Sequence, residues 1–354
     1  MEAIDFDTLV VEVLSRLPSK SICQFKCVSK AWCAELSTNQ FVMLHCVCLN
    51  KAKNRKLISL NDMSIDVDNV ICGKIEFGST KSISFPFETP PLSLCFLSSL
   101  DVLLLVFMEN CISKLILWNP TTNWYTILSD DYPKHGYDHE YDTGAIYYDQ
   151  SNDLKVLHIK RRYNNVFASV YSRRFGISRD VEFLNATNFG SSSYAWSVGT
   201  LSAKTVYFIV SQSWWVIGKK FIIAFDVLSE TFKLINFPLS KDLIPSQGHL
   251  ITLNRKIHMF VVSEPEELIV ELFKLDGEVW HKVLSFQNSQ TVSFQSRRHQ
   301  PHIMEYNTWI LMSEWGHMVT VKLTGEELEY LQDVDTFNGV NGALFIETII
   351  SPFS

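Results

Sequence analysis

The sequence of 354 residues predicts a small all-α segment of three short helices followed by a large all-β domain, with a six-bladed β-propeller as the leading architecture. Three observations predict it. Residues 5–45 carry a helical apolar period. From about Leu44 onward the pattern becomes short apolar or alternating runs broken by Asn, Asp, Gly, Ser and Pro. Within that second stretch one hairpin-like unit recurs at intervals of roughly 50 residues.

The helical elements follow from spacing and punctuation. Leu9, Val10, Val13, Leu14 and Leu17 fall on one stripe of an α-helix, with Glu12, Ser15 and Arg16 off it, and Pro18 ends that helix. Ser19 is placed to cap a second helix carrying Ile22, Phe25 and Val28. Ser29 is placed to cap a third, with Trp32 and Leu36 at i, i+4. Phe25 and Trp32 are expected to hold the three helices together. Helices this short are marginal alone and enclose little surface, so some of the apolar stripe must meet a partner. Burying Leu9, Val13 and Leu17 there contributes about 5 to 9 kcal/mol before association costs are subtracted.

The β unit is an apolar strand, a polar turn, and a large residue near the start of the next strand. Its copies run from Leu115 to Leu128, Val170 to Leu184, Ala224 to Pro238, Leu272 to Phe286 and Val319 to Val334, with Trp124, Ile177, Phe232, Trp280 and Leu328 after the turns. A weaker copy spans Leu57 to Val67, with Ile65 in that place. Recurrence at this period, with several short strands per unit, is the signature of propeller blades. A β-sandwich with long loops is the competing architecture. Val102 to Met108 reads as a buried strand, far short of a bilayer span.

Composition narrows the function classes. A net charge of -7 leaves no broad cationic footprint for nucleic acid. The acidic start, Met1 to Asp7, lacks the basic and apolar regions of a secretory signal. All eight cysteines, from Cys23 to Cys111, lie in the first third of the chain and read as reduced thiols. Cys46-x-Cys48, taken as strand residues, would point to opposite faces and make a poor metal pair. No G-x-S-x-G, H-E-x-x-H, G-x-x-x-x-G-K or G-x-G-x-x-G occurs, so no catalytic residue, metal or cofactor is assigned. The run Asp130 to Asp142, with His135 and His139, is expected to be a solvated loop.

The helical segment, Leu9-Val10-Val11-Glu12-Val13-Leu14-Ser15-Arg16-Leu17-Pro18-Ser19-Lys20-Ser21-Ile22 through Phe25-Lys26-Cys27-Val28-Ser29-Lys30-Ala31-Trp32, closely resembles the F-box of plant F-box proteins. Asp5-Phe6 replaces the family's usual Leu-Pro opening. The remainder resembles the F-box-associated domain of S-locus F-box-like members. The resemblance is carried by Trp118-Asn119-Pro120-Thr121-Thr122, by Ala145-Ile146-Tyr147-Tyr148-Asp149 ahead of Leu154-Lys155-Val156, by Phe225-Asp226 with Glu230, Phe232 and Pro238, and by Ile346 to Pro352. Where that domain usually carries a Gly-containing turn, this chain has Leu100-Asp101-Val102-Leu103.

The resemblance implies an F-box over residues 1–48 and a substrate-recognition domain over 49–354. It implies a non-catalytic subunit of a Skp-cullin-F-box ubiquitin ligase, acting in the cytoplasm, the nucleus or both, with no nucleic acid or membrane as partner. A Skp-type adaptor would be held through Leu9, Val10, Val13, Leu14, Leu17, Pro18, Ile22, Lys26 and Val28, with a cullin and a RING subunit beyond it. A target protein would sit on the β domain, where Arg297, Arg298, Trp214 and Trp215 are candidate contacts and the doublets Arg161-Arg162 and Arg173-Arg174 are further cationic turns. Two other classes stay open from the residues: a non-ligase binding scaffold, and a loop-built hydrolase or small-molecule sensor on the propeller axis.

Overall fold

The computed structural model describes residues 12–52, 55–61, 64–71, 74–86, 93–109, 113–130, 142–162, 165–184, 194–212, 220–238, 245–253, 255–263, 268–288, 302–304, 308–312, 317–324, 327–335 and 341–346. Among the described residues Glu12 is helical, a 3-10 turn follows at Leu14–Arg16, and the chain continues through α1 (Ser19–Lys26), α2 (Lys30–Glu35) and α3 (Asn39–Ala52). Leu17, ahead of Pro18, is extended at φ -74° and ψ 152°, as the residue before a proline prefers. Ser19 is not the cap expected of it: Pro18 holds that position, and Ser19 is the buried first residue of α1. Ser29 is a cap, accepting the Trp32 backbone N–H at 3.2 Å.

α3 corrects the expected onset of β structure near Leu44. It runs 14 residues, so the first strand begins only at Arg55. Thr38 starts it by accepting the Phe41 N–H at 3.2 Å. Cys46 and Cys48 therefore lie on a helix rather than a strand, two residues and about 200° apart around its axis. Leu14, Ile22, Leu36 and Phe41 form the helical core, with Leu17, Phe25 and Trp32 packed against it.

Among the described residues six antiparallel sheets follow. β1 (Arg55–Asn61), β2 (Ser64–Ile71) and β3 (Lys74–Ile83) begin the first. β4 (Ser93–Leu100), β5 (Leu103–Glu109), β6 (Lys114–Asn119) and β7 (Trp124–Asp130) make the second, and β8 (Asp142–Tyr148), β9 (Leu154–Arg162), β10 (Asn165–Ser172) and β11 (Ile177–Val181) the third. The fourth holds β12 (Tyr194–Trp196), β13 (Thr200–Ser202), β14 (Thr205–Gln212), β15 (Lys220–Asp226) and β16 (Thr231–Asn236). β17 (Pro245–Leu253), β18 (Lys256–Ser263), β19 (Leu268–Asp276) and β20 (Val279–Asn288) form the fifth. β21 (His302–Met304), β22 (Thr308–Met312), β23 (His317–Thr324) and β24 (Glu327–Asp335) form the sixth. β25 (Asn341–Ile346), from the far end of the chain, pairs with β1 and gives the first sheet its fourth strand.

Successive strands pair with their neighbours in sequence, so the sandwich alternative, which exchanges strands between two sheets, is not needed. The regular four-stranded blade expected six times occurs five times. The fourth sheet departs from it because its inner strand is broken in two, β12 and β13 both pairing with β14. The break lies at Ser197–Gly199. There Ser197 exchanges hydrogen bonds with Ile209, its N–H donating to the Ile209 carbonyl and its hydroxyl accepting the Ile209 N–H, each at 2.8 Å. Gly199 is pressed so closely to the third sheet that a Cβ would stand 2.8 Å from the Gly144 carbonyl oxygen.

Five of the expected hairpin copies join the last two strands of their sheets, with Asn119↔Trp124, Ser172↔Ile177, Phe225↔Phe232, Leu275↔Trp280 and Leu323↔Leu328 paired across the turn. The weaker copy is displaced by one strand: it is β1–β2, and β3 forms the outer edge. Val102 to Met108 are all buried, as expected of a core strand. The turn at Leu100–Leu103 meets its need for positive φ at Asp101 (φ 52°), which leaves Val102 free to be buried.

The chain divides into two compact units. One contains the helices and the first two sheets, whose core joins Ile58, Ile65, Phe96, Leu104, Val106, Ile116, Trp118 and Phe345. The other contains the remaining four sheets. Its third and fourth sheets share Ala145, Tyr147, Leu157, Val170, Phe208 and Phe225, and its fourth and fifth share Ile222, Ile235, Phe237, Leu250, Met259 and Phe273.

Candidate interaction surfaces

The helical face is organised by what it hides. Phe41, His45 and Leu49 lie at i, i+4 and i+8 on α3 and are all buried. The His45 Nε2–H donates to the Leu17 carbonyl at 2.8 Å, tying α3 to the backbone just before Pro18. Burial holds the His45 pKa below 6.5, a pull that this hydrogen bond opposes and Lys26 reinforces. Phe25 and Trp32 stack at 5.3 Å between ring centroids, which bears out their expected role in joining α1 to α2.

This closed core sorts the candidate contacts. Leu9 and Val10 lie outside the described residues. Val13 and Val28 stand out to solvent, 46% and 63% exposed. Pro18 is exposed as well, and Lys26 is half-buried. Leu14 and Ile22 are buried in the helical core. Leu17 is divided, packing partly on that core. Cys23, Cys27 and Cys33 are exposed free thiols on the same helices, and Val47 is an exposed valine on α3.

On the β domain, Arg297, Arg298, Trp214 and Trp215 lie outside the described residues, as do residues 131–141 of the acidic loop. Asp142, which closes that run, opens β8 and accepts from His158 Nε2 at 3.1 Å. Arg161 and Arg162 end β9. Among the described residues no three His, Cys, Asp or Glu side chains converge as metal ligands, and no helix is long and apolar enough to cross a membrane.

The described surface also contains a feature that spacing did not single out. At the β10–β11 turn, Phe175 and Ile177 are 70% and 62% exposed, beside Arg173 and Arg174. The turn is pinned from below. Asp153, buried, accepts the Ser172 hydroxyl through Oδ2 and the Arg174 N–H through Oδ1, the latter at 2.8 Å. Arg179 on β11 pairs with Glu230, which Lys155 also reaches at 2.9 Å. The sequence signal was present as Arg-Arg-Phe-Gly-Ile, but nothing in spacing separates an exposed Phe after a turn from a buried one.

The quoted family motifs have local mechanical roles. The buried Asn119 accepts the N–H groups of Thr121 and Thr122 through Oδ1 at 2.9 and 3.3 Å. Asp226 does the same for Leu228 and Ser229, both at 2.8 Å. Asn123 and Glu230 then close these turns at positive φ, 57° and 53°.

Comparison with known proteins finds a family for the helical segment and one for the β sheets. Residues 7–42 match the F-box domain, and residues 53–346 match the F-box associated beta propeller domain. Among curated relatives, an F-box protein of Arabidopsis thaliana is 24% identical over 241 residues, 64% of this chain and 62% of that protein. An F-box/kelch-repeat protein of Arabidopsis thaliana is 26% identical over 246 residues, 66% of this chain and 59% of its own length. A further Arabidopsis thaliana F-box protein is 22% identical over 285 residues, 75% of this chain and 86% of that one. In the first two, the match spans less than two thirds of the relative. A helical N-terminus matching the F-box, followed by β sheets matching the associated domain over most of the sequence, places this chain among the plant F-box proteins with an F-box-associated β-propeller domain.

Proposed function

We propose that this chain is the substrate-recognition subunit of a Skp-cullin-F-box ubiquitin ligase. The observation that carries the reading is the exposure of Val13 and Val28 beside a helical core already closed by Leu14, Ile22, Leu36 and Phe41. A domain that has satisfied its own core and still presents β-branched apolar side chains has surface for another chain to cover. A Skp-type adaptor covers it, making contact through Leu9, Val10, Val13, Leu17, Pro18, Lys26 and Val28. The cullin and RING subunit are joined through the adaptor, and the β domain holds the target. Exposed free thiols at Cys23, Cys27 and Cys33 suit a reducing compartment, so the complex works in the cytoplasm, the nucleus or both.

The mechanism is proximity. The chain breaks and forms no bond of its own. It holds a target so that a lysine on that target spends longer beside a ubiquitin-loaded conjugating enzyme, which raises effective concentration as any tether does. The test is reconstitution with adaptor, cullin, RING subunit, conjugating enzyme and ubiquitin. Ubiquitin chains on the receptor itself, lost when the adaptor is omitted, are the expected result. Absence of conjugates from an assembly in which a known F-box receptor is modified would overturn the reading.

A further inference from the structure

We infer that His45, on α3, is a positioning residue for the adaptor face: it fixes the Leu17–Pro18 corner in the geometry that the adaptor meets. The inference rests on the receptor reading above and deepens it. The F-box match ends at residue 42, so His45 lies beyond the part of the chain that the family describes as F-box.

The corner cannot hold itself. Its core is a single 3-10 turn, Leu14–Arg16, and Val13 at the start offers no capping side chain. The turn's own backbone bonds run from the Arg16 N–H to the Val13 carbonyl at 3.1 Å and from the Leu17 N–H to the Leu14 carbonyl at 3.2 Å. Turns of this kind have poorer hydrogen-bond geometry than an α-helix. Pro18 has no N–H to return to the turn, and its carbonyl accepts instead from Ser21 and Ile22 of α1, at 2.9 and 3.2 Å. The proline restricts Leu17 to extended dihedrals, which sets the local shape of the corner but not its place against the other helices.

α3 supplies the missing hold. His45 and Cys48 lie at i, i+3 on that helix, neighbours on its surface. The His45 Nε2–H donates to the Leu17 carbonyl at 2.8 Å, and Cys48 Sγ stands 3.5 Å from Ser15 Oγ, so two side chains of α3 reach residues 17 and 15 of the turn. The imidazole bond is the stronger of the two, because a thiol is a weak donor and a weak acceptor. Nor can the imidazole follow a moving corner. It is fully buried and stacks on Phe41 with ring centroids 5.8 Å apart and planes 17° apart, and Phe41 belongs to the helical core. A donor locked by packing fixes the group that accepts from it.

The effect is felt at the surface. Val13 and Pro18 are exposed on this segment, Leu17 packs partly on the core, and Lys26 is close enough to act on the His45 charge. Proposed contacts from the 3-10 turn and from α1 therefore gather around one buried donor. Without that donor the Leu17 carbonyl loses its partner beneath the surface and turns toward water, carrying Leu17 and Pro18 with it. A corner held before binding loses less freedom when it is covered than one that binding must first order.

The experiment titrates purified Skp-type adaptor into the full chain by calorimetry, comparing wild type, His45→Phe and His45→Gln. Phenylalanine keeps a ring against Phe41 and removes the donor, whereas glutamine keeps an N–H at about the reach of Nε2. His45→Phe is expected to bind about tenfold more weakly and His45→Gln to stay within about threefold of wild type. Circular dichroism checks that each variant retains its helices, and His45→Leu, also without a donor, stands in if His45→Phe does not. Amide hydrogen exchange on the adaptor-free chain reads the corner directly: the Arg16 and Leu17 amides should exchange at least about tenfold faster in His45→Phe, with those of Cys33 and Leu36 unchanged. Wild-type affinity in the donor-free variant overturns the inference. So do equal losses in His45→Gln and His45→Phe, which would assign the effect to shape instead of the donor, and so does unchanged exchange at Arg16 and Leu17. Wild type that binds no adaptor overturns the receptor reading, and the exchange comparison then still decides whether His45 holds the corner.

Discussion

The Lys155 ammonium donates to Glu230 Oε1 at 2.9 Å and stands 3.1 Å from Asp149 Oδ2, so one cation on β9 ties its own sheet's β8–β9 turn to the β15–β16 turn of the next sheet. Both side chains of the inter-sheet pair are mostly buried, 16% and 9% exposed. Truncating Lys155 leaves Asp149 and Glu230 without the cation between them, only Glu230 keeping another in Arg179. Lys155→Ala is therefore expected to cost about 2 kcal/mol, read by urea unfolding. Equal stabilities for wild type and Lys155→Ala would show that the pair contributes nothing.

Gly199→Ala tests the close approach of the third and fourth sheets. The added methyl would meet the Gly144 carbonyl oxygen at 2.8 Å and Ala145 Cβ at 2.9 Å, both on or next to the backbone, so neither can swing away. A loss of about 1 to 3 kcal/mol is expected in the same unfolding measurement. Gly176→Ala is a useful contrast, since nothing lies within 4 Å of its Cβ position and only its φ of 67° opposes the change.

His45 gives the helical part an acid-sensitive stability. Its folded pKa is below 6.5, chiefly through burial, so the unfolded chain takes up the proton first as pH falls. In that window the unfolded state binds more protons, and stability rises with pH. The contribution is fully present above about 6.5 and is lost progressively as pH drops from there toward the folded pKa. His258 is shifted the same way by burial and acts with the same sign. The midpoint of thermal unfolding should fall with pH in wild type and fall less steeply in a His45→Gln, His258→Gln variant; parallel profiles would refute the assignment.

Ser29→Ala removes the one side-chain cap of α2, exposing the Trp32 N–H, and is expected to cost about 1 kcal/mol. Ser29→Asp should restore most of it, because a carboxylate accepts the same bond and suits the positive end of the helix. Circular dichroism during urea titration distinguishes the two.

Much of this fold was legible because local chemistry and tertiary structure ask for the same residues. Asn119 and Asp226 are turn residues on any reading, and the turns they make in space set the hairpins that recur along the chain. α3 was not legible. Its segment Phe41-Val42-Met43-Leu44-His45-Cys46-Val47-Cys48-Leu49 is apolar nearly throughout, so no stripe stands out, and the residue completing the buried i, i+4, i+8 row is a histidine. The site was legible only in outline. Spacing places Val13 and Leu14 on one helix but does not say which of the two faces its own core; packing against Ile22, Leu36 and Phe41 decides it. Phe175 carried no periodic signal, because a turn residue has no face to repeat.

Val13 and Val28, both exposed, are the side chains we propose an adaptor covers. Titration of purified Skp-type adaptor into the full chain, by calorimetry, compares wild type with Val13→Asp and Val28→Asp. Both positions are exposed, so both variants should unfold like wild type while binding the adaptor at least about tenfold more weakly. Unchanged affinity in the two folded variants would mean that the adaptor does not sit on these two valines.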